Sequence, residues 1–148
     1  MKLPHDLERK ILEQAGVAEV HAALSFVLPL PPSTNNLFRN AGKRRIKSEA
    51  YKAWLEDAGW AVKAQRPQKV SGRYVLTLTL RAPDNRARDL DNLCKAASDL
   101  LVTHGVIQAD HLAKRIVLEW SDEPPCPPGS LFVTIEPYPP TVALARAA

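Results

Sequence analysis

Residues 73–101 read RYVLTLTLRAPDNRARDLDNLCKAASDLL. The first nine of these residues alternate in type as a β-strand does, and Pro83 ends the pattern. Apolar residues then recur at the spacing of one buried helix face; they are Leu93, Ala96, Ala97, Leu100 and Leu101. The sequence therefore predicts a strand followed closely by a helix, with a charged segment at their junction.

The charged segment, residues 86–95, holds two arginines, two aspartates and a lysine. Asp91, Lys95 and Asp99 are four residues apart, so they share the polar face of the predicted helix. Asp89 is predicted to lie before the first turn, where free backbone N–H groups favour an anion. The helix is predicted to end at His104, with Gly105 in the left-handed conformation.

This combination of charges is typical of a divalent metal that faces a phosphate. Carboxylate oxygens are the preferred ligands of Mg²⁺, which is commonly bound by one or two acidic side chains and the oxygens of a substrate phosphate. Arg86, Arg88 and Lys95 would then hold that phosphate. A structural alternative exists, because an Asp before a helix is often only a cap and a row of charges often only faces solvent.

The distribution of charge favours a nucleic acid as the partner. The net charge of +4 hides a basic middle, since residues 39–88 hold thirteen Lys or Arg against four Asp or Glu. Positive charge of this kind binds a polyanion through counterion release. We predict a basic loop at residues 39–47, with Lys43, Arg44, Arg45 and Lys47 as phosphate contacts, although each taken singly is also explained as a solvated loop residue.

Length and composition limit the class of protein. A chain of 148 residues with 45% hydrophobic residues has enough apolar material for one domain and contains no apolar run of membrane-spanning length. Cys94 and Cys126 form neither a disulfide framework nor a zinc pattern, and the N-terminus does not resemble a secretory signal. We expect a cytoplasmic protein without a membrane partner.

The remaining patterns predict an α+β fold: a small mixed sheet of about four strands packed with two main helices, plus an N-terminal helical extension. Strands are predicted at residues 22–30, 73–81, 113–120 and 130–136, and helices at residues 4–15, 48–64 and from the charged segment to His104. The predicted division is an extension at 1–21, a domain at 22–137 and a flexible tail at 138–148.

Three motifs in a fixed order resemble the RusA family of Holliday-junction resolvases. They are LPLPPSTNN at residues 28–36, RDLDNLCKAASD at residues 88–99 and GVIQAD at residues 105–110. The resemblance covers roughly residues 24–136. This chain departs from the family where Ala109 precedes Asp110, because the family often has two adjacent acids there, and Thr34 is an insertion in the first motif.

The resemblance implies a dimeric endonuclease, dependent on Mg²⁺ with Mn²⁺ as an alternative ion, that cuts four-way DNA junctions by paired nicks in recombination and repair. It also implies that Asp89, Asp91 and Asp110 bind the metal and that Lys95 is needed for catalysis. Two rival interpretations stay open at this point: another structure-selective or general metal-dependent DNA nuclease, and a nucleic-acid-binding protein without catalysis. Of the histidines, His111 is the one placed to touch the site, although a surface or structural role is the simpler interpretation.

Overall fold

A mixed four-stranded sheet forms the centre of the computed structural model, which describes residues 23–138. Its strands are β1 (Leu24–Pro29), β4 (Tyr74–Arg81), β5 (Ala113–Trp120) and β6 (Ser130–Pro137), in the spatial order β1-β6-β4-β5. β6 pairs antiparallel with both β1 and β4, whereas β4 and β5 are parallel. β2 (Phe38–Ala41) and β3 (Arg44–Lys47) form a separate antiparallel hairpin.

Two helices contribute to a hydrophobic core with one face of this sheet. Helix α1 spans Glu49–Gln65 and helix α2 spans Lys95–Thr103. Because side chains alternate along a strand, one face of the sheet supplies the apolar layer; it includes Leu76, Leu78, Leu80, Leu131, Val133 and Ile135, all fully buried. The predicted stripe of α2 packs against them. Truncating one of these leucines to alanine would cost about 2–5 kcal/mol.

Local chemistry sets the ends of both helices. The Ser48 hydroxyl accepts a hydrogen bond from the backbone N–H of Tyr51, which is the usual N-cap arrangement. α2 ends at Thr103 with His104 as its C-cap, and Gly105 follows with φ +68°. The start of the first of these helices at about residue 48 and the end of α2 before Gly105 were predicted from the sequence, and both are confirmed.

Helix α2 connects the two parallel strands β4 and β5. Such strands need a crossover connection, and here it includes a 3₁₀ turn at Leu90–Leu93, α2 itself and a second 3₁₀ turn at Asp110–Leu112. The chain therefore carries the charged segment into α2 and returns to the sheet at Asp110. This crossover is the element that positions the candidate site.

The edge strand β1 is held to α1 by hydrogen bonds from two side chains of the helix. The amide of Gln65, at the last turn of α1, accepts a hydrogen bond from Val27 N at 2.8 Å and donates one to Val27 O at 2.6 Å. Trp54 Nε1 also donates to Pro29 O at 2.9 Å. These contacts satisfy part of an edge that would otherwise expose backbone polar groups.

The α+β prediction, with four strands in one sheet and two main helices, is confirmed. Two local predictions are wrong. The segment 39–47 is a hairpin and not a loop, and the charged segment enters α2 through a 3₁₀ turn instead of a regular first helical turn. The predicted N-terminal helix at 4–15 and the tail lie outside the described residues. Among residues 23–138, no helix is long and apolar enough to cross a membrane.

Candidate active site

The turn that precedes α2 is fixed by its backbone and by one buried side chain. Asn92 N donates to Asp89 O at 3.3 Å, and the Leu93 side chain is 5% exposed in the core. The hydroxyl of Thr34 donates to Asn92 O at 2.9 Å, which ties the turn to the first sequence motif. Asp89 occupies the cap position of the turn without a side-chain capping hydrogen bond. A capping role for this carboxylate is therefore not what the structure shows.

A cavity of about 410 Å³ opens between α2 and the start of β5, and we call it the helix-side cavity. Two carboxylates and one ammonium group face it, from Asp91, Asp110 and Lys95. The complete lining consists of Asp91, Cys94, Lys95, Ser98, Asp110, His111 and Ile116. The crossover thus brings together three of the four predicted catalytic residues, although Asp91 and Asp110 come from opposite ends of α2.

Lys95 is held as a cation at the rim of the helix-side cavity. Its Nζ lies 2.8 Å from Asp99 Oδ1. The two residues are one helical turn apart, and their ion pair is exposed. The hydrogen bond and charge of Asp99 raise the pKa of Lys95, and the charge of Asp110 adds to the effect. The ammonium group therefore stays protonated throughout the neutral range.

The backbone around Asp110 is anchored by a buried phenol. The hydroxyl of Tyr74 donates to the carbonyl oxygens of Ala109 at 3.2 Å and Asp110 at 3.3 Å. Burial raises the pKa of Tyr74, and the nearby Asp110 carboxylate raises it further, so the phenol remains a neutral donor. Tyr74 thereby fixes the position from which the Asp110 side chain leaves the turn.

Asp89 lines a different concavity beside the first motif, residues 28–36. We call that motif the leader and this concavity the leader-side cleft. This cleft has a volume of about 430 Å³, and its lining is Leu30, Pro31, Pro32, Ser33, Asn35, Asn36, Pro83, Arg88, Asp89, Asn92 and Leu93. Its polar groups are mainly amides and a guanidinium, in contrast to the paired carboxylates of the helix-side cavity. The structure therefore does not bring Asp89 into the same cavity as Asp91 and Asp110.

The two arginines of the charged segment are paired with an acid. Asp84 lies 2.9 Å from Arg86 and 2.7 Å from Arg88, and the Arg86 backbone N–H also donates to it. The Arg88 and Arg86 hydrogen bonds hold the pKa of Asp84 well below its usual range. Both guanidiniums, predicted as phosphate contacts, are thus held by one anionic partner, and Arg88 lines the leader-side cleft.

The predicted basic residues at 43–47 project from the β2–β3 hairpin. Lys43, Arg44, Arg45 and Lys47 are all exposed. Gly42 has φ +63° and Lys43 does not have a positive φ, so this two-residue connection is a type II′ turn. The Arg45 guanidinium lies over the Phe38 ring at 4.9 Å, and the Lys47 ammonium lies 5.9 Å from the Tyr51 ring centroid.

The donor chemistry of the helix-side cavity fits a hard divalent cation. Among residues 23–138, no three His, Cys, Asp or Glu side chains converge into a ready-made ligand cluster. Mg²⁺ seldom uses such a cluster, because it keeps several waters and is held by one or two carboxylates together with substrate phosphate. Asp91 and Asp110, on one open cavity, meet that requirement.

Some residues that line this cavity were not assigned to the site from the sequence. His111 lines it beside Asp110, although a surface or structural role was the simpler interpretation of the sequence. Cys94, Ser98 and Ile116 were not predicted there at all. The helix period carries a signal for Cys94 and Ser98, since both are one turn from residues already assigned to the polar face. No sequence pattern signals Ile116, which depends on the register of β5.

Comparison with known proteins agrees with the three motifs. The family model described as Endodeoxyribonuclease RusA matches residues 29–136. A crossover junction endodeoxyribonuclease of Enterobacteria phage HK97 is 30% identical over 86 residues, covering 57% of this chain and 72% of the relative. The protein of the same name in Aquifex aeolicus strain VF5 is 28% identical over 98 residues, which cover 65% of this chain and 78% of the relative. The corresponding protein of Escherichia coli K12 is 35% identical over 83 residues, which cover 55% of this chain and 68% of the relative.

The family match and the named relatives identify an enzyme that acts on DNA, an endodeoxyribonuclease. The extent of the family match makes the assignment specific: this chain belongs to the RusA family of endodeoxyribonucleases.

Proposed function

We propose that this chain resolves four-way DNA (Holliday) junctions by metal-dependent paired nicks. The relatives described above are crossover junction endodeoxyribonucleases, which supports a DNA junction as the substrate. The observation that carries the proposal is the meeting of Asp91, Asp110 and Lys95 around one open cavity. A protein that only bound DNA would gain nothing from two carboxylates there, because they repel phosphate. We also propose a cytoplasmic location for this activity.

The carboxylates of Asp91 and Asp110 would hold Mg²⁺ or Mn²⁺. When bound, such an ion supplies Lewis acidity and an activated water for hydrolysis of the phosphodiester. We assign Asp89 as a third ligand that turns toward the ion when DNA is bound. The Asp89 side chain is exposed and makes no hydrogen bond to a described residue. Its freedom to change rotamer supports this assignment.

Lys95 would act on the phosphate itself. Its protonated amine donates hydrogen bonds to the non-bridging oxygens, where negative charge builds up in the transition state. Asp99 keeps the amine charged and limits its rotation. The ion pair with Asp99 and the raised pKa of Lys95 support this assignment.

The exposed cations would position the DNA. Lys43, Arg44, Arg45 and Lys47 would contact the backbone from the hairpin, Arg88 would contact it from the leader-side cleft, and the exposed Arg86 would contact it beside Arg88. Contacts to phosphate set the register without reading sequence. We also propose a homodimer, because two equivalent strands of a junction are cut by two equivalent active sites and a two-fold assembly matches that symmetry.

The test is incubation with a labelled four-way junction beside duplex, flap and single-stranded DNA of the same sequence, each with and without Mg²⁺. We expect symmetric nicks in the junction with Mg²⁺ present, and Asp91→Asn serves as the inactive control. Equal cutting of duplex and junction would instead favour a general nuclease. A cruciform plasmid tests the dimer: singly nicked circles from a protein that sediments as a monomer would overturn the paired-nick mechanism.

A further inference from the structure

Two exposed aromatic rings in the described structure each carry a cation on one side. Phe38 on the hairpin is 39% exposed, with the Arg45 guanidinium 4.9 Å from its centroid. Trp60 on α1 is 66% exposed, with the Lys63 ammonium 5.0 Å away. Local geometry is therefore similar in the two pairs, and any difference in their roles must come from their surroundings.

The surroundings of the two rings differ in charge. Residues 37–47 contain five Lys or Arg and no acid, so Phe38 lies on a surface that attracts DNA. Trp60 lies four residues after Glu56 and three after Asp57, so it shares a helix face with both acids. Their negative charges repel a phosphate backbone. An aromatic ring among cations is the combination that proteins use to bind unstacked bases.

The position of Phe38 also relates it to the candidate active site. Its ring contacts that of Tyr51 edge to face, at 5.8 Å between centroids. Tyr51 belongs to α1, which contacts α2, the helix that carries the Lys95–Asp99 pair. Burial and the charge of Asp99 raise the pKa of Tyr51, while the charge of Lys95 lowers it. Backbone contacts link the same elements, because Ser48 N donates to Leu37 O at 2.9 Å. DNA held at Lys95 would therefore pass the hairpin.

We propose that Phe38 and Arg45 form a stacking platform for a base that leaves its stack at the branch point of a junction. The ring and the guanidinium present planar surfaces, and a base can extend this stack whatever its identity. A continuous duplex has no free base face to offer, whereas a branch point does. The platform would thus contribute to discrimination between branched and linear DNA, and the inference rests on the proposed function.

This proposal changes the role of one predicted phosphate contact. Arg45 would stabilise the Phe38 ring and stack with the base, while Lys43 and Arg44 keep the phosphate contacts. Planar stacking is a property of guanidinium that an ammonium group does not share. Arg45→Lys, which preserves the charge, should therefore behave like a loss of stacking and not like wild type.

The experiment uses the Asp91→Asn protein, which is expected to bind without cutting. The probes are a four-way junction with 2-aminopurine beside the branch point and a duplex with 2-aminopurine in the same sequence context. We expect binding to raise the fluorescence of the junction probe and leave the duplex probe unchanged. In the same Asp91→Asn background, Phe38→Leu keeps an apolar contact to Tyr51 but removes the aromatic ring. This variant should abolish the rise in fluorescence and weaken junction binding by roughly 5- to 100-fold.

Three controls make the result specific. Phe38→Trp should retain the fluorescence rise, Arg45→Lys should reduce it, and Trp60→Ala should leave fluorescence and affinity unchanged. Far-UV circular dichroism and melting temperature establish that each variant is folded. The proposal is overturned if Phe38→Leu keeps the rise, if Trp60→Ala loses it equally, or if Phe38→Leu weakens junction and duplex binding by the same factor.

Failure of this proposal is distinguishable from failure of the proposed function. If wild-type protein cuts junctions but Phe38→Leu binds and unstacks them normally, the nuclease assignment stands and the stacking platform is wrong. If the wild-type protein cuts no branched DNA yet unstacking depends on Phe38, the platform stands and the chain is a binding protein.

Discussion

The helix-side cavity and the leader-side cleft lie on either side of the same short turn, and they differ in chemistry more than in size. Their volumes are about 410 and 430 Å³. The first contains Asp91, Asp110 and Lys95, whereas the second contains Asp89 with a guanidinium and several amides. Two aspartates only two residues apart are thereby assigned to different environments.

This difference shows that sequence proximity does not predict a shared site. Residues two apart point in different directions on a 3₁₀ or helical turn, so Asp89 and Asp91 diverge. Asp110, which is distant in sequence, joins Asp91 because the crossover returns beside α2. The acidic pair has the ligand chemistry of a divalent cation, whereas the amides and the guanidinium of the cleft are groups that can donate hydrogen bonds to phosphate oxygens.

The largest expected effect follows from removing a carboxylate of the helix-side cavity. Asp91→Asn or Asp110→Asn should lower junction cleavage by at least about 100-fold, since loss of even a group that only supports a metal ligand commonly costs 10–100-fold. Both should also weaken Mn²⁺ binding in the absence of DNA, measured by electron paramagnetic resonance. Asp89→Asn should reduce cleavage while leaving DNA-free Mn²⁺ binding near the wild-type value. Equal loss of Mn²⁺ in all three variants would contradict the separation of the two concavities.

The second prediction concerns Lys95. Because its charge would act mainly in the transition state, Lys95→Ala should lower the single-turnover cleavage rate by roughly 10²–10³-fold and change junction affinity much less. Asp99→Asn is the matched variant: it keeps the lysine and removes its partner, so a smaller loss is expected. A parallel fall of rate and affinity in Lys95→Ala would reduce the lysine to a backbone clamp.

A third, smaller effect is expected from the hairpin. Replacing Lys43, Arg44 and Arg45 together by Gln should weaken binding to junctions of any sequence. The slope of log affinity against log salt should become shallower by roughly 0.9 for each phosphate that the variant no longer neutralises. Replacing Lys52 and Lys63 on α1 by Gln is the control, and its slope should match wild type. An unchanged slope in the hairpin variant would show that these cations only face solvent.

The smallest effect concerns acid stability at the leader-side cleft. The pKa of Asp84 is lowered in the folded protein, so its ion pairs stabilise the fold above the unfolded-state pKa of about 4 and lose that contribution as pH falls. Asp84→Asn should therefore be slightly less stable than wild type at pH 7, with the difference shrinking toward pH 3. Urea unfolding at both pH values measures this. A difference that stays constant with pH would exclude the ion pairs as its cause.

The sequence predicted the scaffold well because its signals are local. The alternation in Tyr74–Arg81, the apolar stripe of α2 and the start of α1 near residue 48 each depend on neighbouring residues, and all are confirmed. The hairpin was mistaken for a loop because its strands show no burial alternation, with Ile46 alone partly buried among exposed residues. The turn residue Gly42 was the available signal.

The grouping of site residues was only partly predictable. Helical spacing related Asp91 to Lys95, but the meeting of Asp110 with them needed the crossover topology, which no local pattern contains. The position of Asp89 depended on a 3₁₀ turn where a regular helix was expected. Sequence reasoning therefore identified the candidate residues, and the structure determined which of them share a cavity.

The crossover between the parallel strands has a consequence for the newly made chain. Asp91 precedes α2 and Asp110 lies just before β5, so the crossover that joins the parallel strands β4 and β5 must fold before both carboxylates line one cavity. Pairing of parallel strands is a non-local step that forms late and slowly compared with a helix. A nascent or partly unfolded copy therefore lacks the assembled acidic pair. Cutting capacity is expected to appear only with the completed fold, which protects cellular DNA from incomplete molecules.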